Sequence, residues 1–201
     1  MNTMFNPKSI ALRCLAIGLT TFAFACGDDD DPMVGPEDME VITTVNLTFT
    51  DGTDTITAQW RDEDGDGGNA PVITEPSGAF TVGSTYAVSV EILNETEDPA
   101  EDITEEIEAE AEEHQFFYVV SSTIATVAIT DVESDYTTNQ TGDDLPVGLA
   151  ADFVVNAAGS GTLNVVLKHL PPINGMVQKT GTNTINDGES DFDITFNFTA
   201  E

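Results

Sequence analysis

His114 and His169 are the only histidines of the 201-residue chain, and one of them stands among carboxylates. In Glu112-Glu113-His114-Gln115-Phe116-Phe117, Glu110 precedes His114 by about one helical turn, so an imidazole and a carboxylate can share a transition-metal ion. His169 ends the apolar alternation Leu163, Val165, Leu167 and precedes Leu170-Pro171-Pro172. Only the fold could bring it to the same ion. The alternative for both residues is a strand-end histidine satisfied by neighbouring acids.

A second cation chemistry is written in Asp62-Glu63-Asp64-Gly65-Asp66-Gly67-Gly68-Asn69. Carboxylates at alternate positions (Asp62, Asp64, Asp66) can curl round one hard cation, with Gly67 at the sharp turn, and Ca2+ is the cofactor this implies. The loop starts like an EF-hand but has Ile73 where the bidentate glutamate belongs, so Glu75 or a backbone carbonyl would have to complete the shell. Read without an ion, it is a polar, glycine-rich strand connection. The chain contains no Gly-x-Ser-x-Gly elbow, phosphate-cradling glycine loop or His-Glu-x-x-His, and its many acids make no single carboxylate pair informative. A non-enzymatic protein is expected.

The N-terminus sets the compartment. Lys8 and Arg13 precede an apolar run of 12 residues from Cys14 to Ala25, and Ala23-Phe24-Ala25-Cys26-Gly27 follows the pattern of a lipoprotein signal. Residues 1–25 are therefore expected to be removed and Cys26 lipidated, with ordinary cleavage at the same Ala-x-Ala as the competing outcome. The run is short of the roughly 20 residues that span a bilayer. Removal leaves Arg61, Lys168 and Lys179 against 37 acids, a formal charge of −34. That field repels phosphate backbones and anionic lipid, which excludes nucleic acid as a partner and leaves the acyl chains as the membrane attachment. With one cysteine after the signal no disulfide can form, so stability must come from a hydrophobic core.

Residues 26–40 carry the cysteine and seven acids without apolar periodicity, and read as an acidic tether. Period-2 alternation begins at about Val41, with Val45, Leu47 and Phe49 on one face, and returns after Asp51-Gly52 with Ile56, Ala58 and Trp60. Further alternations run through Tyr86 to Ile92, Phe117 and Val119, Ala125 to Ile129, Leu163 to Leu167, and Phe192 to Phe198. With less regular pieces at 71–74 and 149–155, about eight strands are expected. Residues 41–201 thus read as one all-β domain, an antiparallel β-sandwich of immunoglobulin-like or Greek-key order. The exception is residues 95–113, which hold eleven acids. There Asp98 as N-cap, Pro99 at the first position and the stripe Ala100, Ile103, Ile107, Ala111 predict one short acidic helix.

Several stretches resemble a group of small lipoproteins of the Bacteroidota. They are Val41-Ile42-Thr43-Thr44-Val45, the run from Asp62 to Ile73, Leu93-Asn94-Glu95, the run from Glu101 to Ile107, Glu113-His114-Gln115-Phe116-Phe117, Val166-Leu167-Lys168-His169 and Gly188-Glu189-Ser190-Asp191. The group has no established activity and is often labelled a type 1 periplasmic binding fold, a two-lobed α/β structure, whereas the periodicity here is that of strands. Cys26-Gly27-Asp28-Asp29-Asp30-Asp31 also resembles the acidic tag that sends such lipoproteins to the outer face of the outer membrane. The expected protein is a lipid-anchored outer-membrane or cell-surface binding lipoprotein, accessory to nutrient or metal-ion uptake beside an outer-membrane transporter. The alternative is a structural or protein-interaction module of the envelope with a calcium-stabilised loop.

Overall fold

The computed structural model describes residues 40–65, 68–137 and 144–201. Cys26, the signal, the tether up to residue 39 and Asp66 lie outside the described residues. Ten strands and one α-helix are present among those described: β1 (Thr44–Thr50), β2 (Thr55–Arg61), β3 (Val72–Thr74), β4 (Thr85–Asn94), β5 (Glu101–Asp102), α1 (Ile103–Ala109), β6 (His114–Val120), β7 (Ala125–Ile129), β8 (Ala150–Val155), β9 (Gly159–His169) and β10 (Glu189–Ala200). They form two antiparallel sheets, one ordered β3-β2-β1-β4-β8-β7 with β5 on the end of β4, the other β10-β9-β6. The fold is the all-β sandwich that the alternation predicts. No helix of the described residues is long and apolar enough to cross a membrane.

The first hairpin shows how local chemistry sets the register. The Asp51 carboxylate accepts from the backbone N–H groups of Thr53 and Asp54, both at 2.9 Å, and Gly52 takes φ +88°, which only glycine adopts without strain. The turn pairs Phe49 with Ile56, Leu47 with Ala58 and Val45 with Trp60, so one apolar face results. Along β4, Tyr86, Val88, Val90 and Ile92 are buried, and along β10 Phe192, Ile194, Phe196 and Phe198 are buried. These two faces close on one core. Phe80 joins them, its ring 4.7 Å from Phe153 and 5.9 Å from Phe198, while Phe153 and Phe198 meet at 5.3 Å.

Two expectations are corrected in detail. The helix does not start at Asp98: Glu101 and Asp102 pair with Asn94 and Leu93, so the chain stays extended and Asp102 becomes the N-cap, accepting from Thr104 N–H at 3.0 Å. Ala100 is accordingly exposed, while Ile103, Ile107 and Ala111 are buried as the stripe requires. In β6 the buried phase is that of His114 and Phe116, not Phe117 and Val119. Phe116 fills the space beside Gly148, where a Cβ would lie 2.6 Å from the Phe116 Cβ, and Val119 is left 48% exposed. The phase change carries His114 into the protein.

Candidate metal centre

The sequence between α1 and β6 places two of the candidate ligands. Thr104 pins the start of α1 to β4, accepting from Ile92 N–H at 2.9 Å and donating to Ile92 C=O at 3.3 Å. The helix ends at Glu110, whose N–H donates to the Glu106 carbonyl. Its C-terminal exit is held by Lys179, which donates to the Ala111 carbonyl at 2.7 Å and pairs with Glu133 at 3.0 Å, both side chains being buried. A charge pair this well enclosed fixes the loop before β6 because neither partner can be released to the interior alone. Leu170 N–H then donates to the Glu113 carbonyl at 2.6 Å, bringing the end of β9 alongside the start of β6.

That pairing sets His114 directly opposite His169. Their rings stack with centroids 4.6 Å apart and planes 6° from parallel. The His114 Nδ1 is 3.2 Å from the Glu110 carbonyl oxygen, so its N–H faces that acceptor and Nε2 is left as the electron-pair donor of the neutral ring. Glu40, the last residue of the expected tether, brings its Oε1 to 3.3 Å from this Nε2. One donor atom each from Glu40, Glu110, His114 and His169 lie within 4.8 Å of one another. The Glu113 Oε2 lies 4.0 Å from His169 Nε2.

Asp191 completes the surroundings. In the β9–β10 ladder Ser190 pairs with Lys168 and Phe192 with Leu167, so Asp191 is the extra residue of a β-bulge. The bulge turns its side chain inward, where it is 0% exposed and places Oδ2 3.9 Å from His114 Nε2. Neither of its oxygens accepts a hydrogen bond from the described residues. Burial pushes this carboxyl up to about 7, with the nearby His114 only partly offsetting it. Burial alone would lower His114, but the contact with Glu40, the charges of Glu40 and Asp191 and the Glu110 carbonyl outweigh it and raise the imidazole. Glu40 is likewise opposed by its own burial, yet its contact with His114 holds it below the ordinary carboxylate value.

The Asp62–Asp64 segment is differently arranged. Asp62 N–H donates to the Thr43 carbonyl at 2.7 Å, and the Asp64 carboxylate accepts from the Asn69 side chain at 2.7 Å, so the loop is closed from within. Asp66 lies outside the described residues. Arg61, the one cation beside these acids among the described residues, pairs with Glu95 at 2.6 Å and with Glu63. A crevice of about 430 Å³ is lined by Asp62, Asp64, Trp60 and Asp193 together with Glu40 and Asp191. The crevice thus joins the Asp62–Asp64 segment to Glu40 and Asp191, while Glu110, His114 and His169 are not among its lining residues.

Of the sequence candidates, the structure brings Glu110, His114 and His169 together, and Asp62 and Asp64 are not part of that group. It adds Glu40 and Asp191, which the sequence reading does not single out. Glu40 follows six other acids in a segment without period, and Asp191 occupies the outward phase of an alternating strand. No family model matches this chain, and no curated protein or solved structure is detectably similar to it.

Proposed function

We propose that this protein is a lipid-anchored binding protein of the cell envelope, without enzymatic activity, that holds a divalent transition-metal ion between Glu40, Glu110, His114 and His169 and serves metal-ion uptake beside an outer-membrane transporter. The observation that carries this reading is the convergence of four donors from three stretches of chain within 4.8 Å, two of them buried imidazoles. Imidazole with carboxylate and no sulfur suits zinc, nickel or copper(II) better than calcium, which prefers an all-oxygen shell. Donors about 2.0–2.1 Å from a tetrahedral zinc lie roughly 3.4 Å apart, so binding draws the cluster inward by about an ångström and tilts the parallel rings until their lone pairs converge. The net charge of −34 after signal removal concentrates cations at the surface, and the lipid on Cys26 keeps the domain at the membrane.

Titrating the purified protein with zinc, copper and calcium, following heat and melting temperature, tests this directly. One equivalent of zinc or copper is expected to bind and raise the melting temperature, with His114→Ala and His169→Ala each abolishing the effect. Absence of any zinc or copper effect overturns the reading. The structural or interaction-module alternative draws on β3, an edge strand whose Val72 and Ile73 are 64% and 43% exposed. On that alternative calcium acts, if anywhere, at the Asp62–Asp64 loop.

A further inference from the structure

We propose that Asp191 is a further ligand of the ion, reached through the acid-lined crevice and presented to it by the β-bulge of β10. This rests on the metal-binding reading above and adds to it a residue and a route. Three observations support it. The Asp191 side chain is 0% exposed and lies 3.9 Å from His114 Nε2, the same nitrogen that Glu40 Oε1 approaches at 3.3 Å. Neither of its oxygens accepts a hydrogen bond from the described residues, an arrangement that a buried carboxylate tolerates poorly and that a cation would relieve. The bulge that aims it inward interrupts an otherwise continuous ladder of eleven residue pairs. Bulges of this kind re-aim side chains beside functional sites.

The crevice explains how a cation reaches so enclosed a group. Asp191 and Glu40 share its lining with Asp62, Asp64 and Asp193, so an ion in the crevice meets five carboxylates set among Val41, Ile42, Trp60 and Phe192. In this arrangement Glu40 and Asp191 face the approaching ion, while Glu110 and the two imidazoles close the shell from the side of α1, β6 and β9.

The test is zinc affinity, measured by competition with a chromophoric chelator, together with the melting temperature of the metal-free protein. Asp191→Asn keeps the shape and removes the charge. It is expected to weaken zinc at least ten-fold while the metal-free melting temperature holds or rises, because a buried carboxylate without hydrogen bonds is replaced by a neutral group. Asp54→Asn, at an exposed acid of the β1–β2 turn that does not line the crevice, is expected to leave zinc affinity within two-fold. Unchanged affinity in Asp191→Asn overturns the proposal, as does a fall in metal-free melting temperature large enough to account for the lost binding. If the unaltered protein binds no zinc, the metal-binding reading fails and this proposal with it, whereas zinc binding that ignores Asp191→Asn removes this proposal alone.

Discussion

At the scale of residues, the unusual feature is the concentration of buried ionisable groups in one place. His114, His169 and Asp191 are enclosed, with Glu40 and Glu113 at their margins. In the metal-free protein this has a pH signature. Asp191 is raised from its ordinary 3.8 to about 7 by burial, and His114 is also raised, so both take up protons more readily folded than unfolded. The stability they contribute is complete below the unfolded values and is lost as pH climbs through the folded ones. The melting temperature of the chelator-treated protein is therefore expected to fall as pH goes from about 5 to about 8, and Asp191→Asn is expected to flatten the curve. A profile with equal slope in both proteins would remove Asp191 from this account. The i, i+4 relation of Glu110 and His114 was legible because it is local. Glu40 was not, since nothing in an acidic, aperiodic run marks which acid will fold back onto the domain.

At the scale of elements, the centre is a product of strand register. Periodicity located most strands and their buried faces because alternation reports directly which side meets the core. It misassigned the phase of β6, where Phe116 and Phe117 are adjacent and either could point inward. Packing against Gly148 and Phe192 decides for Phe116, and with it for His114. The bulge at Asp191 was equally illegible, because a bulge leaves the flanking alternation intact. Gly188 is the hinge into that strand: at φ +69° its Cα runs so close to β9 that a Cβ would sit 2.4 Å from the His169 carbonyl oxygen. Gly188→Ala is expected to displace the start of β10, to destabilise the fold by about 1–3 kcal/mol in chemical denaturation, and to weaken zinc binding through Asp191 and His169. Destabilisation without any change in zinc affinity would show that the start of β10 does not support the centre.

At the scale of the whole molecule, the sandwich holds the centre at one end and its aromatic cluster within. Phe80 packs edge-on against Phe49 at 5.1 Å, Tyr86 at 5.2 Å and Phe198 at 5.9 Å, and so ties the larger sheet to the smaller. Phe80→Ala is expected to cost about 3–5 kcal/mol in denaturant unfolding, the range for deleting a buried aromatic. A loss well below this would mean that the two sheets hold together without it. The all-β class was readable from alternation and turn chemistry together. The two-sheet order was not, because β6 joins the smaller sheet by pairing with β9, His114 opposite His169 far along the chain, and such long-range pairing has no local mark.

The central claim is that one ion is held by imidazole and carboxylate at the meeting of β6, β9 and the end of α1. Anomalous diffraction at the zinc edge from crystals of the zinc-loaded protein tests it most directly. The account predicts a single strong peak between His114, His169, Glu40 and Glu110, within coordination distance of Asp191. A peak at the Asp62–Asp64 loop instead, or no ordered zinc at all, would contradict it.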